Sequence, residues 1–274
     1  MACIAEAATV ESGGLMLDTT QVALGAVSGS VVGFVLGLIG GGGSILAVPL
    51  MVYVVGVASP HVAIGTSALA VAANAGCNLV THARAGTVKW RCAAIYAAGG
   101  VAGALGGSTL GKRIDGHALL ALFALVMVVV GVLMLRGRSD VGHPGAQCNR
   151  DNAPKVIGYG LGTGIVSGFF GIGGGFLIVP GLIASTGMPI LNAIGSSLVA
   201  VTAFGVTTAF NYALSGWVDW NLAAVFIGGG IVGGLLGVRM AARLSGTAGL
   251  LRTVFAILIF VVAAYILGRY ATGT

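Results

Sequence analysis

The chain has 274 residues, and its charged residues are only 13 Lys and Arg and 7 Asp and Glu, or 7% of the total. Hydrophobic residues make up 57% of the chain, Gly fills 49 positions, and the mean hydropathy is +1.04. A soluble domain carries roughly 25% charged residues. So few charges cannot cover a soluble surface. The hydrophobicity excludes disorder, and the absence of a three-residue Gly period excludes collagen. A polytopic membrane protein remains, with room for about eight helical elements of ~20 residues each.

The net charge of +6 and the pI near 9.5 would suggest nucleic acid in a soluble chain. Here the cations fall in loops between apolar runs, where they orient a membrane protein, so no nucleic-acid partner is expected. Residues 1–19 form an N-terminal tail. Its start, MACIAEAATVESGGLMLD, has no basic n-region and carries Glu6, Glu11 and Asp18. It does not read as a cleaved signal peptide. Apolar runs follow at 20–57, 61–82, 88–110, 117–135, 156–187, 190–214, 220–242 and 247–268. Helix is expected for each, because an open sheet edge cannot exist in lipid. The stretch RGRSDVGHPGAQCNRDNAPK is the one polar break, so 20–136 and 156–269 read as two units joined by a linker at 137–155, with a short tail at 270–274.

The two units repeat. GLIGGGGSILAVP at 37–49 matches GFFGIGGGFLIVP at 168–180 with an offset of 131. With an offset of 130, residues 63–113 share 19 of 51 identities with 193–243, including Trp90 with Trp220 and Arg113 with Arg243. Loop charges address orientation. If each 20–57 type segment crosses once, the two sides carry 8 and 5 cations; if it forms a hairpin, they carry 10 and 3. The positive-inside rule favours the hairpin. Equivalent loops also swap bias, with three cations at 83–91 and none at 214–221. The expected fold is therefore all-α, with two inverted-topology repeats and both termini outside. Each repeat is a Gly-rich broken or re-entrant hairpin followed by three transmembrane helices. Pro49 and Pro180 suit the first turn of a half-helix that starts near each of them.

Several features could carry chemistry. Gly41, Gly42, Gly43 and Ser44, with Gly173, Gly174 and Gly175, combine a free main chain with a half-helix N-terminus, which attracts anions. The plain alternative is tight helix packing. Thr66 and Ser67, with their counterparts Ser196 and Ser197, offer neutral donors to an oxyanion, although intramembrane hydroxyls often bond the preceding turn. The spacings Gly25, Gly29, Gly33, Gly37 and Gly99, Gly103, Gly107, echoed in the second half, read as stripes for close helix contact. Cys77 lies well inside a predicted span and would suit contact with a sulfur compound, or act as a small apolar filler. The four cysteines show no CxxC spacing, so neither a zinc site nor a disulfide framework is indicated. None of the seven acids lies inside a predicted span, which argues against cation pumps and carboxylate-based proton symport. A near match to a phosphate-binding loop at Gly106–Lys112 has Arg113 where Ser or Thr is required, and no HExxH or GxSxG pattern occurs. No enzyme activity, catalytic residue, metal or cofactor is expected.

The tracts GLIGGGGSILAVPLM (37–51) with GTSALAV (65–71), and GFFGIGGGFLIVPGL (168–182) with GSSLVAV (195–201), resemble those of the TauE/SafE sulfite-exporter family. The resemblance spans about 21–268. It implies an inner-membrane permease whose partners are the bilayer and a small sulfur oxyanion or organosulfonate, such as sulfite, thiosulfate or sulfoacetate; a homodimer is the oligomer to test. Ile172 interrupts the second Gly tract, so the half-sites need not contribute equally. Two other readings stand beside a transporter. One is a thiol-relay or sulfur-handling enzyme component using Cys77; the other is a scaffold for a soluble partner on the basic face.

Overall fold

A computed structural model describes residues 18–39, 41–136, 148–149, 152–243 and 248–272. The described residues are all-helical, with no strand. The helices are α1 (Thr19–Ile39), α2 (Ala47–Tyr53), α3 (Pro60–Arg84), α4 (Trp90–Gly111), α5 (Gly116–Arg136), α6 (Ala153–Phe170), α7 (Gly175–Thr186), α8 (Ile190–Ala213), α9 (Trp220–Arg243) and α10 (Ala248–Thr272). A 3-10 segment, Gly41–Leu46, leads into α2. Among the described residues, five helices (α1, α3, α4, α8 and α9) are long and apolar enough to cross a membrane. The N-terminal tail and most of the linker lie outside the described residues.

The apolar runs 20–57 and 156–187 each break where glycines replace side chains. α6 ends at Gly171, and Gly171, Gly173 and Gly174 all have φ near +65°. Side chains disfavour this left-handed region, so the chain turns there and α7 starts at Gly175. Pro180 therefore falls inside α7 rather than at its start. It removes only the bond to the Phe176 carbonyl. In the first half, Pro49 does sit in the first turn of α2.

The glycine stripes explain which helices pair. A Cβ on Gly29, Gly33 or Gly37 of α1 would strike the backbone of α9 at Phe226, Gly230 or Gly234. Gly229, Gly233 and Gly237 return the contact to Ala26, Ser30 and Phe34. The second half repeats this with the partners exchanged. Gly103, Gly107 and Gly111 of α4 lie on Leu161, Ile165 and Phe169 of α6, and Gly160, Gly164 and Gly168 lie on Tyr96, Gly100 and Ala104. Each pair runs parallel, backbone against backbone, as small residues permit. α3 and α8 form the centre and run antiparallel: Gly65 meets Tyr212, Gly205 meets Ala72, and Gly76 meets Thr202. α5 packs on α10, where Gly131 faces Phe260.

These registers define one level across the bundle. Gly33 meets Gly230, Gly230 meets Asn74, Phe204 meets Gly100, and Gly100 meets Gly164. One end of the bundle holds the start of α1, the 54–66 segment and the turns at 111–117 and 214–219. The other end holds the 84–91 turn and the starts of α6 and α8. Lys112, Arg113 and Arg269 belong to segments at the first end. Arg84, Lys89, Arg91, Arg136, Lys155, Arg239, Arg243 and Arg252 belong to segments at the second.

One expectation is corrected. Cys92 and Cys148 form a disulfide that ties the first turn of α4 to the linker, across 56 residues of sequence. No spacing rule marks such a pair, because folding rather than local sequence brings it together.

Candidate functional site

The two broken hairpins meet near the mid-level, because the 3-10 segment packs against α7 and also touches α8. Gly173 reaches toward the centre. A Cβ there would lie 3.0 Å from a Val71 methyl and 3.3 Å from a Val201 methyl, between α3 and α8. Gly174 turns back along α6 against Ser167, just as Gly43 turns back along α1 against Leu36. The tracts thus flank the mid-level, one on each side.

The second tract presents a set of free donors. The N–H groups of Gly173, Gly174, Gly175 and Phe176 have no partner among the described residues; the first bonds of α7 come from Leu177 and Ile178 to the Gly174 carbonyl. Amides without a bond at the start of a helix carry partial positive charge and no formal charge. Ser167 lies beside them, fully buried, with its hydroxyl unpartnered. A Cβ on Gly174 would come within 2.8 Å of that oxygen. Backbone amides plus a hydroxyl can hold an oxyanion without adding formal charge. In the first half Gly43 and Ser44 are buried, and Gly41 and Gly42 belong to the 3-10 turn.

The remaining expected site residues are not gathered here. Thr66 lies eight residues from Asn74 toward the cation-poor end, and Ser196 lies eight from Phe204 toward the opposite end. At 1.5 Å per residue each is ~12 Å from the mid-level. Both hydroxyls accept a backbone N–H from the other half: Asp219 N–H donates to Thr66 Oγ1 at 3.0 Å, and Lys89 N–H donates to Ser196 Oγ at 2.9 Å. These residues cap the turns that start α9 and α4. Ser67 and Ser197 each donate to the carbonyl three residues back, of Ile64 and Ile194. Cys77 is a free thiol exposed on the outside of α3, while Asn74 and Asn78 on the same helix are buried.

Ser167 escaped the sequence reading because a lone Ser between glycines is unremarkable. The repeat offers a signal, since Ser167 falls on the apolar Leu36 of the other half. Asn211 lies near the end of α8 in a polar network. It takes two bonds from Lys112 Nζ, at 2.8 Å to its side chain and 3.0 Å to its carbonyl, and donates to Ser108 Oγ at 2.6 Å. This network closes the cation-poor end between α4 and α8. Asp115 and Asp219 accept backbone N–H bonds at the starts of α5 and α9. No cluster of three or more His, Cys, Asp or Glu suited to a metal occurs among the described residues. A cavity of about 300 Å³ opens at the cation-poor end, lined by Tyr53, Pro60, His117, Ile266 and Arg269 among others.

Comparison with known proteins finds similar membrane transporters. The family model described as "Sulfite exporter TauE/SafE" matches residues 25–266. A "Probable membrane transporter protein" of Xylella fastidiosa (strain 9a5c) is 54% identical over 248 residues, covering 88% of this chain and 93% of the relative. "Probable membrane transporter protein YunE" of Bacillus subtilis (strain 168) is 28% identical over 235 residues, covering 78% and 86%. A "Probable membrane transporter protein" of Haemophilus influenzae (strain ATCC 51907 / DSM 11121 / KW20 / Rd) is 28% identical over 207 residues, covering 72% and 76%. No solved structure matches the chain.

Proposed function

The chain belongs to the sulfite exporter TauE/SafE family, and on that premise we propose that this membrane transporter exports a small sulfur-containing anion, such as sulfite, thiosulfate or a sulfonate. The observation that carries the proposal is the donor set at Gly173–Phe176 with Ser167 beside it. The proposed site also takes in Gly41, Gly42, Gly43 and Ser44, which the hairpin contact brings toward it. It uses dipoles and a hydroxyl in place of Lys or Arg. A neutral cradle suits turnover, because a buried cation would hold a dianion too tightly to release it. The described acids, Asp18, Asp115 and Asp219, all lie at helix ends, so among the described residues the membrane interior offers no carboxylate to a coupling cation.

Inverted repeats fit this function. The antiparallel contact of the equivalent helices α3 and α8 supports opposite orientation of the two halves, as does the exchanged pairing of α1 with α9 and α4 with α6. The sorting of cations to one end supports a cytoplasmic position for that end and an outer position for residue 18 and the end of α10. The energetics favour export: a dianion leaving a cell that is ~100 mV negative inside gains roughly 4.6 kcal/mol, at about 2.3 for each charge. Nothing in the position of Cys77, exposed away from the tracts, favours the thiol-relay reading.

Anion binding tests the site. Purified protein is heated with sulfite, thiosulfate, a small sulfonate or chloride. A ligand that binds only the folded state raises the melting temperature as its concentration passes Kd. The proposal expects a rise with at least one sulfur anion that is reduced in Ser167→Ala. Equal response to chloride and to every sulfur anion would contradict it.

A further inference from the structure

Buried polar atoms without a partner are rare, and each one in a native fold calls for an explanation. Among the described residues they belong to Ser28, His61, Asn74, Ser167, Thr208 and Tyr212. Their depths follow from the registers already given. Asn74 sits at the mid-level, against Gly230. Ser28 is five residues from Gly33 on α1, Ser167 is three from Gly164 on α6, and Thr208 is four from Phe204 on α8. All three steps lead toward the cation-poor end. Tyr212 and His61 lie further the same way; their ring centroids are 6.3 Å apart, and Trp217 stacks on His61. No orphaned polar atom lies on the cation-rich side of the mid-level among the described residues.

The repeat shows that this bias is not imposed by the fold. The image of Ser167 is Leu36, that of His61 is Leu191, and that of Asn74 is Phe204. The image of Tyr212 is His82, whose ring is bonded to Thr87 at 3.0 Å. One backbone plan thus places Leu36, Leu191, Phe204 and the bonded His82 where its repeat places Ser167, His61, Asn74 and Tyr212, while the images of Thr208 and Ser28 are the polar Asn78 and Tyr159. Leaving such groups unpaired costs about 1–3 kcal/mol each, and a small oxyanion with its hydration water can supply the missing bonds.

We infer that these residues line the half-path between the central site and the cation-poor face, and that they exchange bonds with a small hydrated oxyanion when that half opens. The groups at mid-depth, Asn74, Ser167, Thr208 and Ser28, are neutral amide and hydroxyl groups, and no acid lies among them. The inference rests on the transporter reading for its ligand, but not for its geometry.

Single-cysteine accessibility tests it. In a background carrying Cys3→Ala, Cys77→Ala, Cys92→Ala and Cys148→Ala, Ser28→Cys, Ser167→Cys and Thr208→Cys are compared with Leu36→Cys and Asn78→Cys in the opposite half. Sealed vesicles of either orientation are treated with a membrane-impermeant anionic thiosulfonate, with and without a small sulfonate, which unlike sulfite does not consume the reagent. Only variants that elute from a sizing column like the parent are scored, and Thr208→Cys, a near-isosteric change, decides if the others misfold. The inference expects the first set to react at least about tenfold faster from the cation-poor face than from the other, equivalent to about 1.4 kcal/mol of opening free energy. Slowing by the sulfonate is also expected. Side-selective reaction without slowing supports the path and counts against a sulfonate as cargo. Reaction as slow as at Leu36→Cys, or faster from the cation-rich face, overturns the inference.

Discussion

Asn74 occupies in the first half the place that Phe204 holds in the second, and each side chain presses on the backbone of a glycine in a neighbouring helix, Gly230 and Gly100. Phe204 fills its place with apolar surface. Asn74 is 1% exposed, and neither its amide nitrogen nor its oxygen has a partner. Asn74→Leu should therefore raise stability, since it removes an unsatisfied buried group costing about 1–3 kcal/mol. The same change should slow anion flux. Thermal denaturation and flux measured on one preparation check this, and a stabilised variant with undiminished flux would assign Asn74 to packing alone.

Gly174 combines a left-handed backbone (φ 64°) with a neighbour, Ser167, where a Cβ would point. Gly174→Ala should lose ~1–2 kcal/mol from backbone strain, more from the collision, and most of its anion-dependent stabilisation. Gly216 has a similar φ of 71° but open space around it. Gly216→Ala should show the backbone cost alone and bind normally. Melting curves with and without sulfite separate the two.

Thr66 and Ser196 act as a symmetric pair of ties, each accepting a backbone N–H at the start of a helix in the other half. Thr66→Val and Ser196→Ala each leave a part-buried N–H without its partner, which should cost about 1 kcal/mol. The KM for anion flux should stay unchanged, because each hydroxyl is ~12 Å of helix rise from the mid-level. An altered KM with unaltered stability would return these residues to the binding site.

The Cys92–Cys148 bridge should stabilise the oxidised protein by about 2–4 kcal/mol, lost in Cys148→Ser or on reduction. If the cation-rich end faces the cytoplasm, the pair should be found as thiols in growing cells, because disulfides do not persist there. Alkylation in rapidly acid-quenched cells, read by gel shift, checks both the pairing and the orientation. A fully oxidised pair in such cells would place that end outside.

Much of this arrangement was legible in the sequence. The repeat predicted which residues correspond, the Gly stripes predicted close backbone contact, and the Gly tracts predicted breaks in two helices. Partners were not legible. A stripe such as Gly25, Gly29, Gly33 says that a backbone approaches, but not that it is α9, since α4 and α6 carry similar stripes. The roles of Thr66 and Ser196 were hidden for a related reason: their acceptors are used by turns more than 100 residues distant in sequence. Pro180 misled locally, because the left-handed glycines before it had already set the start of α7.

The central claim is electrogenic export through a neutral site, and flux under a clamped potential tests it most directly. Proteoliposomes loaded with sulfite are held at a set K⁺ diffusion potential, and efflux is followed. Efflux should speed up as the interior is made negative and should fall in Ser167→Ala and Gly174→Ala. Efflux of sulfite, thiosulfate and sulfonate that never exceeds that of protein-free liposomes, or that ignores the potential, would contradict the account.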